Sequence, residues 1–300
     1  MKSIGILIKR NIKLFFKDKG MFFTSLITPA ILLVLYATFL GNVYKDSFLS
    51  AMPEGIELSD SIINALVGGQ LVSSILAVSC VTVAFCSNFL MVQDKATGVS
   101  RDLLISPIKP SHLSLAYYVA TLTSTLVICF IAAAVCLIYL AFIGWYLTFS
   151  DVLLIILDVF LTVLFGTALS SVINFFLSTQ GQISAVGSII SAGYGFICGA
   201  YMPISSFGTG LQKAVAFLPG THATSLLRNH SLGAVLCEME STGIPSEVTG
   251  ALSDLLDCNI YFFDKKVDEP VMYLVLGGCT LLLIALYIIL NTVASRKPKK

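Results

Sequence analysis

One carboxylate stands inside a long apolar run. Asp158 lies within the stretch from Val152 to Leu177, seven residues past Asp151 and so about 10 Å from the polar boundary of that stretch. An ionisable group at membrane depth is costly and is a functional candidate by default. At this depth Asp158 can serve a substrate or gating role beside a water-filled vestibule, or a structural hydrogen bond, and the sequence leaves both open. The three histidines, His112, His222 and His230, have no metal-like spacing with carboxylates or cysteines. His222 and His230 flank one short segment and are expected to be structural. No G-x-x-x-x-G-K-[ST] loop occurs, which excludes nucleotide binding in the P-loop manner. No G-x-S-x-G elbow or Cys/His pairing supplies a nucleophile. The chain is therefore not expected to be an enzyme, nor to hold a cofactor or a metal of its own.

The elements that must position Asp158 are membrane helices. Of 300 residues 56% are hydrophobic and 12% charged, about half the roughly 25% charge of a soluble domain. A helix crossing the bilayer core needs about 20 apolar residues. Six segments qualify: Phe22 to Gly41, Ser61 to Val92, Leu113 to Ile143, Val152 to Leu177, Ile183 to Met202, and Val271 to Ala294. The expectation is an all-α membrane protein, one transmembrane domain over residues 1–300, with six transmembrane helices. Basic residues orient it. Thirteen of the 18 fall on one side, in the N-terminal segment, the loop after the second span and the C-terminal tail, including Arg296, Lys297, Lys299 and Lys300; five fall on the other. Both termini are thereby expected in the cytoplasm.

Residues 1–20 are basic throughout and do not have the layout of a cleavable signal. Lys2, Ile6, Lys9, Arg10, Lys13 and Lys17 share one side of a helical wheel, with Ile4, Ile8, Ile12 and Phe15 on the other, which apart from Ile6 describes a basic amphipathic interfacial helix. Two spans carry small-residue stripes, Ser73, Ala77 and Cys80 in the second and Ser184, Ser188, Ser191, Gly195 and Gly199 in the fifth. Small residues let helices approach closely in lipid. Such faces serve packing within one chain, a dimer interface or a translocation path.

Two loops carry the most information. Residues 93–112 form a cytoplasmic loop in which Asp102 to Ile105 can make a short helix that stops before Pro107. Residues 203–269 form a long last extracellular loop. It holds Cys237 and Cys258, a candidate disulfide on the oxidising side. The stretch from Ile204 to Leu232 is amphipathic and suited to dipping back into the outer leaflet.

The first loop resembles the stretch after the second span in ABC-2-type transporter permeases, the membrane subunits of ATP-binding cassette exporters. Asp94, Gly98, Leu103, Leu104, Ser106 and Pro107 match that pattern, while Arg101 stands where glutamate is usual. Gly199-Ala200-Tyr201-Met202-Pro203 is similar to the family's Gly-x-x-x-Pro exit, and Leu218-Pro219-Gly220-Thr221-His222 with Arg228 to its later signature.

The resemblance implies that Asp94, Gly98, Arg101, Asp102, Leu103, Leu104, Ser106 and Pro107 couple to a separate ATP-binding cassette ATPase subunit, which would hold ATP and Mg. It implies a second permease chain, a bacterial plasma membrane, and export of an amphiphilic drug, antibiotic, lipid or peptide. No nucleic acid is expected among the partners. A secondary transporter or channel acting alone, and a non-transporting sensor or immunity subunit, are the rival readings.

Overall fold

The structure is a computed structural model that describes residues 2–50, 58–106, 108–262 and 265–296. Its helices in chain order are α1 (Lys2–Lys17), α2 (Lys19–Leu35), α3 (Gly41–Ser50), α4 (Asp60–Ala96), α5 (Val99–Ile105), α6 (Pro110–Ile143), α7 (Phe149–Phe175), α8 (Gln180–Ile197), α9 (Thr209–Val215), α10 (Pro219–Ser241), α11 (Ser246–Leu255) and α12 (Glu269–Arg296). A π-helical turn, Tyr36–Leu40, joins α2 to α3 without a break. The one sheet among the described residues is a hairpin, β1 (Tyr261–Phe262) and β2 (Lys265–Lys266), paired Tyr261 to Lys266 and Phe262 to Lys265.

Polar caps set four of the starts. The Asp18 carboxylate accepts from the Met21 amide at α2, and the Ser59 hydroxyl accepts from the Ile62 amide at α4. Thr148 with Asp151, and Thr179 with Gln182, form capping boxes at α7 and α8. Each satisfies amide donors that a helix start leaves without partners.

The centre of the fold is α4, buried along nearly its whole length. Helices α2, α6, α7, α8 and α10 pack around it, and α12 lies against α7, α10 and α6. Helix α1 forms as the basic amphipathic pattern requires, but its buried face runs through Leu7, Asn11 and Phe15, docked mainly on α6, while Lys9 and Lys13 are exposed.

Among the described residues, five helices are long and apolar enough to cross a membrane: Lys19–Ser50, Asp60–Ala96, Pro110–Ile143, Phe149–Phe175 and Glu269–Ala294. The expected fifth span is the difference. Its helix, α8, is 18 residues long and stops at Ile197 rather than running to Met202. Gly199 takes φ +78°, and the amides of Ala200 and Tyr201 both turn back to the Gly195 carbonyl. This is a glycine helix stop of the left-handed kind.

Residues 203–269, expected as an extracellular loop, are built instead from a 3-10 turn (Ile204–Ser206), three helices and the hairpin. Helix α10 is the surprise. It is buried along most of its length and packs on α4, α7 and α12 as a core element.

Candidate functional site

The end of the molecule that carries α5 is organised by two adjacent residues of α4. Asp94 is buried and accepts two hydrogen bonds from Arg10 of α1, at 2.7 and 3.2 Å, and one from the Tyr117 hydroxyl of α6 at 2.5 Å. A bidentate guanidinium–carboxylate pair of this kind fixes orientation as well as distance. Lys95 reaches the other way. Its ammonium donates to the carbonyls of Asn174, Phe175 and Leu177 at 3.3, 2.7 and 3.3 Å and sits 5.3 Å from the Phe175 ring centroid. A cation on the last carbonyls of α7 is placed where a helix C-terminus favours it. The final turn of α4 therefore grips α1, α6 and α7 at once.

From there Gly98, at φ +85°, turns the chain into α5. Nothing lies within 4 Å of a Cβ at this position, so the left-handed backbone alone demands glycine. Leu103 and Leu104 seat α5 on a satellite core made by Leu7, Leu90, Met91, Leu113, Ala116 and Tyr117. Arg101, Asp102 and Ile105 face outward, Ile105 being 83% exposed.

The residues expected to couple to a partner thus divide. Asp94 points inward and anchors α1, and Leu103 and Leu104 hold α5 in place. The Ser106 hydroxyl donates back to the Leu103 carbonyl. Arg101 and Asp102 are left on the open face, and Pro107 lies outside the described residues. Ile105 was not singled out by sequence reasoning. An isoleucine next to Ser-Pro was its only signal in the sequence.

The two small-residue stripes also divide. Ser73, Ala77 and Cys80 are fully buried inside the chain. The Cys80 thiol sits 3.9 Å from the Val159 carbonyl of α7, and a Cβ on Gly166 would come within 2.8 Å of the Cys80 carbonyl. This stripe is the close-packing surface of α4 on α7, so the expectation of a path or dimer face does not hold there.

On α8 the outcome is different. Ser184, Ser188 and Ser191 border an open groove between α2 and α8, with Phe89 and Gln93 of α4 as its floor. Toward α3 it continues as a second cavity, lined by Thr28, Ile31, Phe39 and Phe196 among others. The two cavities enclose about 550 and 530 Å³. Gly195 and Gly199 are not part of the stripe's open face. Gly195 is covered by the Tyr201 ring and Gly199 ends the helix.

Asp158 sits in the half of α7 that points away from α5, level with Cys80 of α4, with no exposure. His230 Nδ1 of α10 lies 2.6 Å from one carboxylate oxygen, and the Tyr273 hydroxyl of α12 donates to the other at 2.7 Å. The far side of the same imidazole, Nε2, is 3.9 Å from the Glu269 carboxylate, which is half-exposed. Of the two roles left open for Asp158, the hydrogen-bonding one is what the geometry displays. His230 and Tyr273 were missed as its partners. Burial alone would lower the His230 pKa, but the hydrogen bond and charge of Asp158 outweigh it, so the imidazole is raised above its ordinary value. His222 goes the other way, lowered by burial, with Nε2 2.9 Å from the Ala216 carbonyl.

A second buried charge lies nearby. Arg228 donates to Asp257 at 3.0 Å and to the Gly199 carbonyl at 2.6 Å, while Asp257 also accepts from the Ile204 amide at 2.7 Å. The helix stop after α8 and the arginine of α10, two separate motifs in sequence, are in direct contact. Burial opposes the Arg228 charge, and Asp257 more than restores it.

The expected bridge between Cys237 and Cys258 is not formed; both thiols are free. The Cys258 carbonyl accepts from Ser225 and Asn229 of α10, whereas Cys237 is exposed two turns further along that helix, about 12 Å from Asn229. Disulfides need Cα atoms within roughly 7 Å. Among the described residues, no cluster of three or more His, Cys, Asp or Glu side chains could hold a metal ion.

A core of long apolar helices, a basic helix docked at one end and a packed cap at the other define a multi-pass helical membrane protein. A family model for the ABC-2 type transporter matches residues 2–230, and the chain belongs to that family. Its members are membrane components of transport. No curated protein matches the chain.

Proposed function

We propose that this chain is the permease subunit of an ATP-driven exporter, taking its energy from a separate ATP-binding cassette ATPase that holds ATP and Mg. The observation that carries the reading is α5. It is a short helix seated on a small core by Leu103 and Leu104, with Arg101, Asp102 and Ile105 open to solvent. Behind it, Asp94 and Lys95 clasp α1, α6 and α7. A push on such a surface is transmitted to three other helices without any active site on this chain.

In this reading α8, about 27 Å long, is the sixth crossing element. Both termini are cytoplasmic, α5 faces the cytoplasm, and the cap of α9, α11 and the hairpin around α10 faces outward in a bacterial plasma membrane. A second permease chain closes the α2/α8 groove. Serine hydroxyls of α8, with Ile31, Phe39 and Phe196 as apolar lining, suit an amphiphilic cargo, such as a drug, antibiotic, lipid or peptide. A carrier working without an ATPase would place its buried charges along the path, yet neither Asp158/His230 nor Arg228/Asp257 lines that groove.

The test is to purify the chain with the ATPase encoded beside it and measure ATP hydrolysis with and without substitutions on α5. Co-purification and α5-dependent hydrolysis support the reading. A chain that binds no ATPase overturns it.

A further inference from the structure

The buried cluster at Asp158 has a charge balance that depends on one proton. Three helices meet there: α7 supplies Asp158, α10 supplies His230, and α12 supplies Tyr273 and Glu269. The charges acting on His230 are Asp158 and Asp151 of α7 and Glu269 of α12; from α4, the Cys80 thiol faces Asp158. The charges that favour the imidazolium are all carboxylates.

Consider the two states of the ring. A neutral imidazole that donates from Nδ1 to Asp158 turns the lone pair of Nε2 toward the Glu269 carboxylate. Asp158 then keeps its charge in a fully buried place with only two neutral donors. A protonated imidazole donates on both sides and sets a cation between two carboxylates. Leaving a buried charge without a counter-ion is strongly unfavourable. Glu269, half-exposed and 3.9 Å from Nε2, gives the proton a route from solvent.

We propose that His230, Asp158 and Glu269 form a proton-binding site whose occupancy latches α7, α10 and α12 together at the cap end. The ligand is the hydrogen ion of the solution on that side, so the cap is tight when this solution is acidic and loosens as it becomes alkaline. The site does not depend on an ATPase partner and is testable on this chain alone. It senses the outer solution if the cap faces outward, as proposed above.

The direction follows from linkage. A histidine raised in the folded state contributes stability that is complete below its unfolded value of about 6.5 and is lost as pH rises through the folded value. His222, lowered by burial, contributes with the opposite sign, so a difference between variants is needed.

The experiment uses the full chain in detergent. Tm is recorded between about pH 5.5 and 8.5 for wild type, His230→Asn and Glu269→Gln. Asparagine places an amide donor near the position of Nδ1 but does not titrate. The Tm advantage of wild type over His230→Asn is expected to be largest at the acid end and to shrink steadily as pH rises. Glu269→Gln is expected to move the midpoint to lower pH. Nitrogen-15 NMR of the labelled imidazoles reads the same titration directly, and serves if His230→Asn fails to fold. A Tm difference that is flat or grows with pH, or a His230 that stays neutral to the acid end, overturns the proposal.

Discussion

Arg10 and Asp94 are 84 residues apart in sequence and are joined through two hydrogen bonds, at 2.7 and 3.2 Å. The pair ties the basic amphipathic helix to the last turn of the central helix, one step before the chain enters α5. A helix that charge and periodicity alone would place in the headgroup layer is thereby fixed to the protein.

Removing the arginine should be felt as a packing defect. Arg10→Ala leaves Asp94, nearly buried, with only Tyr117 as partner and should cost about 2 kcal/mol, a fall in Tm of about 4–8 °C. Arg10→Lys keeps the charge but not the bidentate contact and should cost less. Thermal melts of the purified chain in detergent check both values.

The two faces of α5 should separate cleanly by substitution. Arg101→Ala, Asp102→Ala and Ile105→Ala alter exposed side chains and should leave Tm within about 1–2 °C of wild type, while weakening co-purification with the ATPase. Leu104→Ala should lower Tm as well, because it opens the core under the helix. Equal loss of stability across all four would sink the division.

The glycines in and just after α8 should differ in what they tolerate. Gly199→Ala places a side chain at φ +78° and a Cβ within 2.9 Å of Ile204, and shifts the carbonyl that Arg228 uses. Strain alone should cost about 1–2 kcal/mol. Gly193, with nothing within 4 Å of a Cβ, should accept alanine at no cost or gain up to about 1 kcal/mol. Paired melting curves decide this, and an equal effect at both positions would be incompatible with the structure.

Cysteine chemistry checks the cap. Cys237 is exposed, whereas Cys258 is buried and its thiol is pushed up to about 12 by that burial. A membrane-impermeant maleimide added without reductant should label Cys237 and spare Cys258 until the chain is unfolded. Intact-mass analysis showing two fewer hydrogens before reduction, with Cys237 unreactive, would restore the bridge.

Much of this fold was legible because it is local. A run of apolar residues without charges can only be a helix in lipid, so four of the crossing helices lie where hydropathy puts them, within a few residues. The excess of basic residues at the segment ends is likewise written in the chain, and it underlies the proposed orientation.

Neighbours were not legible. Lipid tails and protein interiors are equally apolar, so composition does not distinguish α4, buried throughout, from α12, mostly open. For the same reason the serine stripes of α4 and α8 read alike, yet one is packed shut and the other borders a groove. Polar partners are the extreme case. Asp158 meets His230 and Tyr273 across 72 and 115 residues. Helical periodicity determines which face of α7 the carboxylate occupies. Only the packing of α10 into the core, inside what the sequence presents as a loop, decides what that face meets.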